Sequence, residues 1–136
     1  MNKNEVNKML PQAVALLKAE FPKGRIPNEY RGYISTFGAA VLMGSLAAAV
    51  AFNSDGKAST KGSRPALMKM ILDLLKETYG DTDPELKKST RLFDYVTDQF
   101  QNPEVKDKVL NAAIAIKLGM NLFEIEKEEQ NGEAVS

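Results

Sequence analysis

Three features of this 136-residue chain predict an all-α fold. Ala, Leu, Lys and Glu are abundant, apolar residues recur every three or four positions, and no stretch shows the β-branched alternation of a half-buried strand. Clusters of Pro, Gly, Asn, Asp and Ser separate the periodic segments. The expected architecture is a compact single-domain helical bundle of about five to six helices around an Ala/Gly-rich central helix, occupying residues 1–129, with 130–136 as a disordered polar tail. A chain of this length can bury about two-thirds of its unfolded surface without disulfides or metals.

The first amphipathic segment puts Val6, Leu10, Ala13, Leu17 and Phe21 on one face, and Pro11 should kink it or mark a late start. Pro22, Gly24 and Pro27 end it in a loop. A helix from about Asn28 through Phe37 follows, with a bend expected at Phe37-Gly38 before an Ala-rich helix that reaches Phe52. Residues 53–63 read as a solvated, Gly-punctuated loop. Ser63 then caps a helix with Pro65 in its first turn, an apolar face of Leu67, Met70, Ile71, Leu74, Leu75 and Tyr79, and a stop at Gly80. Asp83-Pro84 opens the next, carrying Leu86, Leu92, Phe93, Val96 and Phe100, with an interruption around Ser89-Thr90. Asn102-Pro103 starts the last, whose stripe is Val105, Val109, Ala112, Ile116, Met120 and Phe123.

The uncharged run Ile34 to Phe52 admits two readings, buried helix or membrane span, because about 20 apolar residues cross a bilayer. Its small Ala, Gly, Ser and Thr residues and the mean hydropathy of −0.30 for the whole chain favour burial. Ala40, Gly44 and Ala48, four apart, form a small-residue stripe suited to close helix packing, within the chain or between copies. Met1 to Met9 is polar and carries no signal-peptide pattern, so a cytoplasmic location is expected.

The sequence has no Cys and no His, which removes thiolate nucleophiles, imidazole bases, disulfides and the usual zinc ligands. The loop Gly56 to Ser63 lacks the Gly-Lys-Ser/Thr order of a phosphate-binding loop. Asp81, Asp83 and Glu85 lack the glycine and distal glutamate of a calcium loop, and Asp83 reads as a helix cap. No catalytic activity, metal or cofactor is expected.

Formal net charge is zero, yet Lys18 to Lys69 holds eight basic and three acidic residues, while Glu124 to Glu133 is strongly acidic. Lys23, Arg25, Arg31, Lys57, Lys61 and Arg64 flank the Ala-rich run and are the candidate RNA-binding residues, with Tyr30 or Tyr33 available for stacking if exposed. Ordinary solvated charges and core tyrosines explain the same residues.

Tyr30-Arg31-Gly32-Tyr33-Ile34, the Gly/Ala-rich run ending Val50-Ala51-Phe52, the helix Ala66 to Leu75 and a closing Ala-rich helix from Asp107 to Glu126 together resemble one family, the small helical subunit of the type III-B (Cmr) CRISPR effector complex. That family often has a Gly-Leu pair where Ser45 here separates Gly44 from Leu46. The resemblance implies a non-catalytic subunit in antiviral defence that packs beside other Cmr subunits and copies of itself and helps hold guide RNA and target RNA, with no membrane partner. It assigns no individual RNA contact. The alternative from the residues alone is a helical protein–protein adaptor that binds no RNA.

Overall fold

Most of the helices begin at a residue whose side chain caps them. The computed structural model describes residues 2–54, 63–99 and 102–126. Over these, α1 spans Lys3–Glu20, α2 Glu29–Met43, α3 Leu46–Asn53, α4 Arg64–Tyr79, α5 Pro84–Lys88, α6 Leu92–Thr97 and α7 Pro103–Met120. Two short strands join them, β1 (Arg25–Pro27) and β2 (Glu124–Glu126). The all-helical domain expected from the sequence is present, with seven helices, five of them substantial, among the described residues. Side chains of Asn2, Ser45, Ser63, Asp83 and Asn102 accept hydrogen bonds from the first-turn amides of α1, α3, α4, α5 and α7. The expected break at Ser89-Thr90 separates α5 from α6. Phe100 and residues 127–136, the expected tail among them, lie outside the described residues.

Pro11 sits inside α1 without ending it. Asn7 and Pro11 are both exposed, so the carbonyl left without an intrahelical donor faces water. Val6, Met9, Ala13 and Leu17 form the buried stripe, with Leu10 only half-buried.

The Ile34 to Phe52 run is not bent at Phe37-Gly38. α2 passes straight through Gly38 and stops at Gly44, whose backbone adopts φ −138° and ψ −132°. A β-carbon there would lie 3.1 Å from the Ala40 carbonyl oxygen, and the Ser45 hydroxyl then accepts the Ala48 amide at 3.2 Å to start α3. The break divides the Ala40, Gly44, Ala48 stripe: Gly44 and Ala48 are exposed and Ala40 is half-buried. The most enclosed helix is α4, where Leu67, Met68, Met70, Ile71, Leu72, Leu74 and Leu75 are all buried and which packs against every other helix. No helix among the described residues is long and apolar enough to cross a membrane.

The most extensive helix pairing joins α1 to α7. α7 offers Ala112, Ala113, Ala115 and Gly119, all buried, so the backbones approach closely. Residues 124–126, expected to prolong the last helix, instead form a parallel ladder with residues 25–27, pairing Arg25 with Glu124, Ile26 with Ile125 and Pro27 with Glu126. Three-residue strands are too short for alternation to reveal. Gly24, at φ +78°, turns the chain into β1, its carbonyl accepts the Glu124 amide at 3.0 Å, and Ile26 is fully buried.

A β-carbon on Gly119 would meet Leu17 Cδ1 at 3.1 Å and Val14 Cγ2 at 3.5 Å. Gly119→Val is expected to lower unfolding free energy by about 1–3 kcal/mol through overpacking, read from urea denaturation. Tyr79 donates to Glu5 and Tyr95 donates to Asp83 at 2.7 Å. Burial first, then these carboxylates, pushes both phenols far above the ordinary value of 10.0. The unfolded chain ionises first, so their contribution is complete below that value and is lost as pH rises through the folded-state values. Tyr95→Phe should flatten this decline in an alkaline denaturation series.

Candidate nucleic-acid interface at the start of α2

Tyr30 opens the site from inside. It is 5% exposed, so it is a core residue and offers no face to a base. Its ring packs edge-on against Phe21 at 5.2 Å and Tyr33 at 5.9 Å. Its hydroxyl accepts the Ser63 amide at 3.1 Å, which ties the N-terminus of α4 to the first turn of α2. Burial raises the phenol pKa, partly offset by that hydrogen bond, so Tyr30 stays neutral.

Arg64 follows from this tie. Its guanidinium carbon lies 4.6 Å from the centre of the half-buried Tyr33 ring and 5.3 Å from that of Phe52, an exposed aromatic side chain at the end of α3. Two aromatic partners hold the planar cation and leave its charge uncompensated. Arg31 is exposed. At 3.6 residues per turn it lies about 160° around α2 from Tyr33, so Arg31 and Arg64 occupy opposite flanks of the helix. Among the described residues neither has a carboxylate within ion-pair distance.

The other candidates differ in their surroundings. Arg25 is exposed but bonded to Glu124 at 3.2 Å. Lys23 is exposed and, with Lys18, rims a separate groove of about 610 Å³ lined by Val14, Phe21, Leu122 and Phe123. Lys57 and Lys61 lie outside the described residues, as does the loop compared with a phosphate-binding loop up to Gly62. Of the six candidate residues, Lys23, Arg25, Arg31 and Arg64 are therefore described, each in a different setting.

Two features escaped the sequence reading. Phe52 is a partner of Arg64 rather than the end of a buried helix, a long-range contact that periodicity cannot reveal. Leu42 and Met43, at the α2–α3 break, are 65% and 88% exposed. Leu42 borders a shallow groove of about 260 Å³ between α2 and α7, floored by Ile34, Gly38 and Ala113. Asp83, by contrast, is committed to the fold: it caps α5, accepts from Tyr95 and lies 3.8 Å from Lys108.

No family model, curated protein or solved structure matches the chain.

Tyr30→Phe leaves the Ser63 amide without its acceptor. The expected result is a loss of about 1 kcal/mol of stability, measured by urea denaturation, with the helix content at low urea unchanged.

Proposed function

We propose that this chain is the small, non-catalytic helical subunit of a type III-B (Cmr) CRISPR ribonucleoprotein, holding guide RNA and target RNA through phosphate contacts and subunit packing. The segments from Tyr30 to Phe52 and from Ala66 to Leu75 carry the resemblance. One structural observation supports a role on RNA: Arg31 of α2 and Arg64, which reaches from α4 over Tyr33 of α2 and is held by aromatic rings, both lack a carboxylate partner among the described residues. Cations so placed neutralise phosphates without reading bases, leaving sequence choice to guide pairing. Exposed Leu42 and Met43 would serve packing against neighbouring subunits.

Those same exposed side chains favour a second reading, a helical adaptor that binds protein alone. A tagged pull-down from the native host, with mass spectrometry and small-RNA sequencing, separates the two. Recovery of Cmr subunits and guide RNA supports the first; recovery of other proteins without RNA supports the second.

Arg31→Ala and Arg64→Ala are each expected to weaken RNA binding and to reduce the salt slope by about 0.7 for each single-strand phosphate that is no longer neutralised. Filter binding across a salt series measures this. Unchanged slopes in both variants would remove these arginines from the interface.

A further inference from the structure

Tyr79 stands about 22 Å along α4 from Arg64, at 1.5 Å per residue. There it borders a cavity of about 590 Å³ that also meets the first turn of α1 and the first half of α7. Three carboxylates line it, Glu5, Glu104 and Asp107, against the single ammonium of Lys108. Helical spacing offers Glu5 and Glu104 ordinary neutralising partners, Lys8 at i+3 and Lys108 at i+4. Both lysines turn to Tyr79 instead. Lys108 Nζ lies 4.7 Å from the centre of its ring and 3.8 Å from Asp83, and Lys8 Nζ lies 5.7 Å from the same ring. The Tyr79 hydroxyl in turn donates to Glu5. None of the three carboxylates therefore has an ion-pair partner among the described residues.

Helix dipoles account for acidic residues in the first turns of α1 and α7, Glu5 and Glu104, but not for Asn111. Its side chain is 4% exposed and lines the same cavity. Oδ1 accepts the Asn2 amide at 3.1 Å, which leaves Nδ2 as the donor end. Nδ2 has no acceptor among the described residues, yet it is not sealed: among these residues only Gln99 Nε2 is both enclosed and unpartnered. The donor thus opens onto the cavity.

These groups define the ligand. The carboxylates call for cations, and Asn111 Nδ2 calls for an acceptor oxygen. Among the described residues no acidic side chains converge to hold a metal ion, so the cations must be spread along a larger molecule. A protonated polyamine brings cations but no acceptor. A peptide bearing lysine or arginine brings both. We propose that this cavity binds a basic peptide segment of a partner protein, its main-chain carbonyl held by Asn111 and its basic side chains by Glu5, Glu104 and Asp107. The site is independent of the RNA-binding reading, and either can fail alone.

The test is a heteronuclear NMR titration of the full chain with two tetracations, N-acetyl-tetralysine amide and spermine. The peptide is expected to bind about fivefold more tightly than spermine, the worth of one added hydrogen bond, and to shift the Asn111 side-chain NH2 signals, which spermine leaves in place. Glu104→Gln with Asp107→Asn should weaken the peptide about five- to tenfold. The same charge change at exposed sites remote from the cavity, Glu20→Gln with Glu126→Gln, should weaken it less than twofold. Asn111→Asp keeps an acceptor for the Asn2 amide and removes the donor. It should erase the preference for peptide over spermine, because the added charge acts on both ligands. If that variant does not fold, the Asn111 NH2 signals of the parent decide the point. Equal binding of the two tetracations with those signals unmoved, or equal weakening by the remote pair, reduces the effect to unspecific charge and overturns the proposal. No shift at the cavity residues overturns it outright.

Discussion

Helices α1 and α7 pack where Gly119 presents bare backbone to Leu17 and Val14, and this close approach positions much else in the molecule. A second link reinforces it: the Asn2 amide donates to the buried Asn111 side chain at 3.1 Å, joining the cap of α1 to the middle of α7. Small residues along α7 keep the two backbones close, while the bulk that fills the domain comes from α4, buried on several sides at once. With α1 and α7 fixed, the segments that leave them are brought together. The chain leaving α1 becomes β1, the chain leaving α7 becomes β2, and their pairing sets the point at which α2 starts.

The electrostatics of that point follow from how each cation is satisfied. Arg25 is neutralised by Glu124, Arg64 is held by ring faces that leave its charge available, and Arg31 is in water. Zero net charge thus conceals three different conditions within the same region. A guanidinium stacked on rings loses little side-chain freedom when it meets a phosphate, because its plane is already oriented. The tie between Tyr30 and Ser63 matters for this reason. It fixes the first residues of α4, and with them the backbone from which Arg64 reaches Tyr33.

Much of the helical framework was legible in the sequence because its signals are local. Ser63, Asp83 and Asn102 stand three residues or fewer before the amides they cap, and Gly80 ends α4 where the apolar stripe stops. The break between α2 and α3 was displaced by several residues, since Gly38 and Gly44 look alike in an Ala-rich run. Only Gly44 is followed by a hydroxyl that can restart a helix. The β1–β2 ladder was illegible for another reason: it joins residues 99 positions apart, with Ile26 and Ile125 too few to show a period. For the site, the separation of Arg31 from Tyr33 around α2 can be computed from sequence alone. That Arg64 sits on Tyr33 cannot, because the contact depends on how two distant helices meet.

Helical phase also limits what one copy can do. Cations on opposite flanks of a helix about 10 Å across cannot both follow one short stretch of backbone along the helix axis; a strand touching both must cross the start of α2. On the RNA-binding reading proposed above, such a crossing would engage only a few phosphates in each subunit, and its electrostatic binding would be correspondingly weak and sensitive to salt. Under that proposal affinity would come from repetition, with each added subunit raising the effective concentration of the next contact. Under the same proposal the exposed Leu42 and Met43, which offer no charge to a phosphate, would matter as much as the arginines. They lie on the helix that carries Arg31, so packing through them would set the spacing and direction at which successive cations meet the RNA.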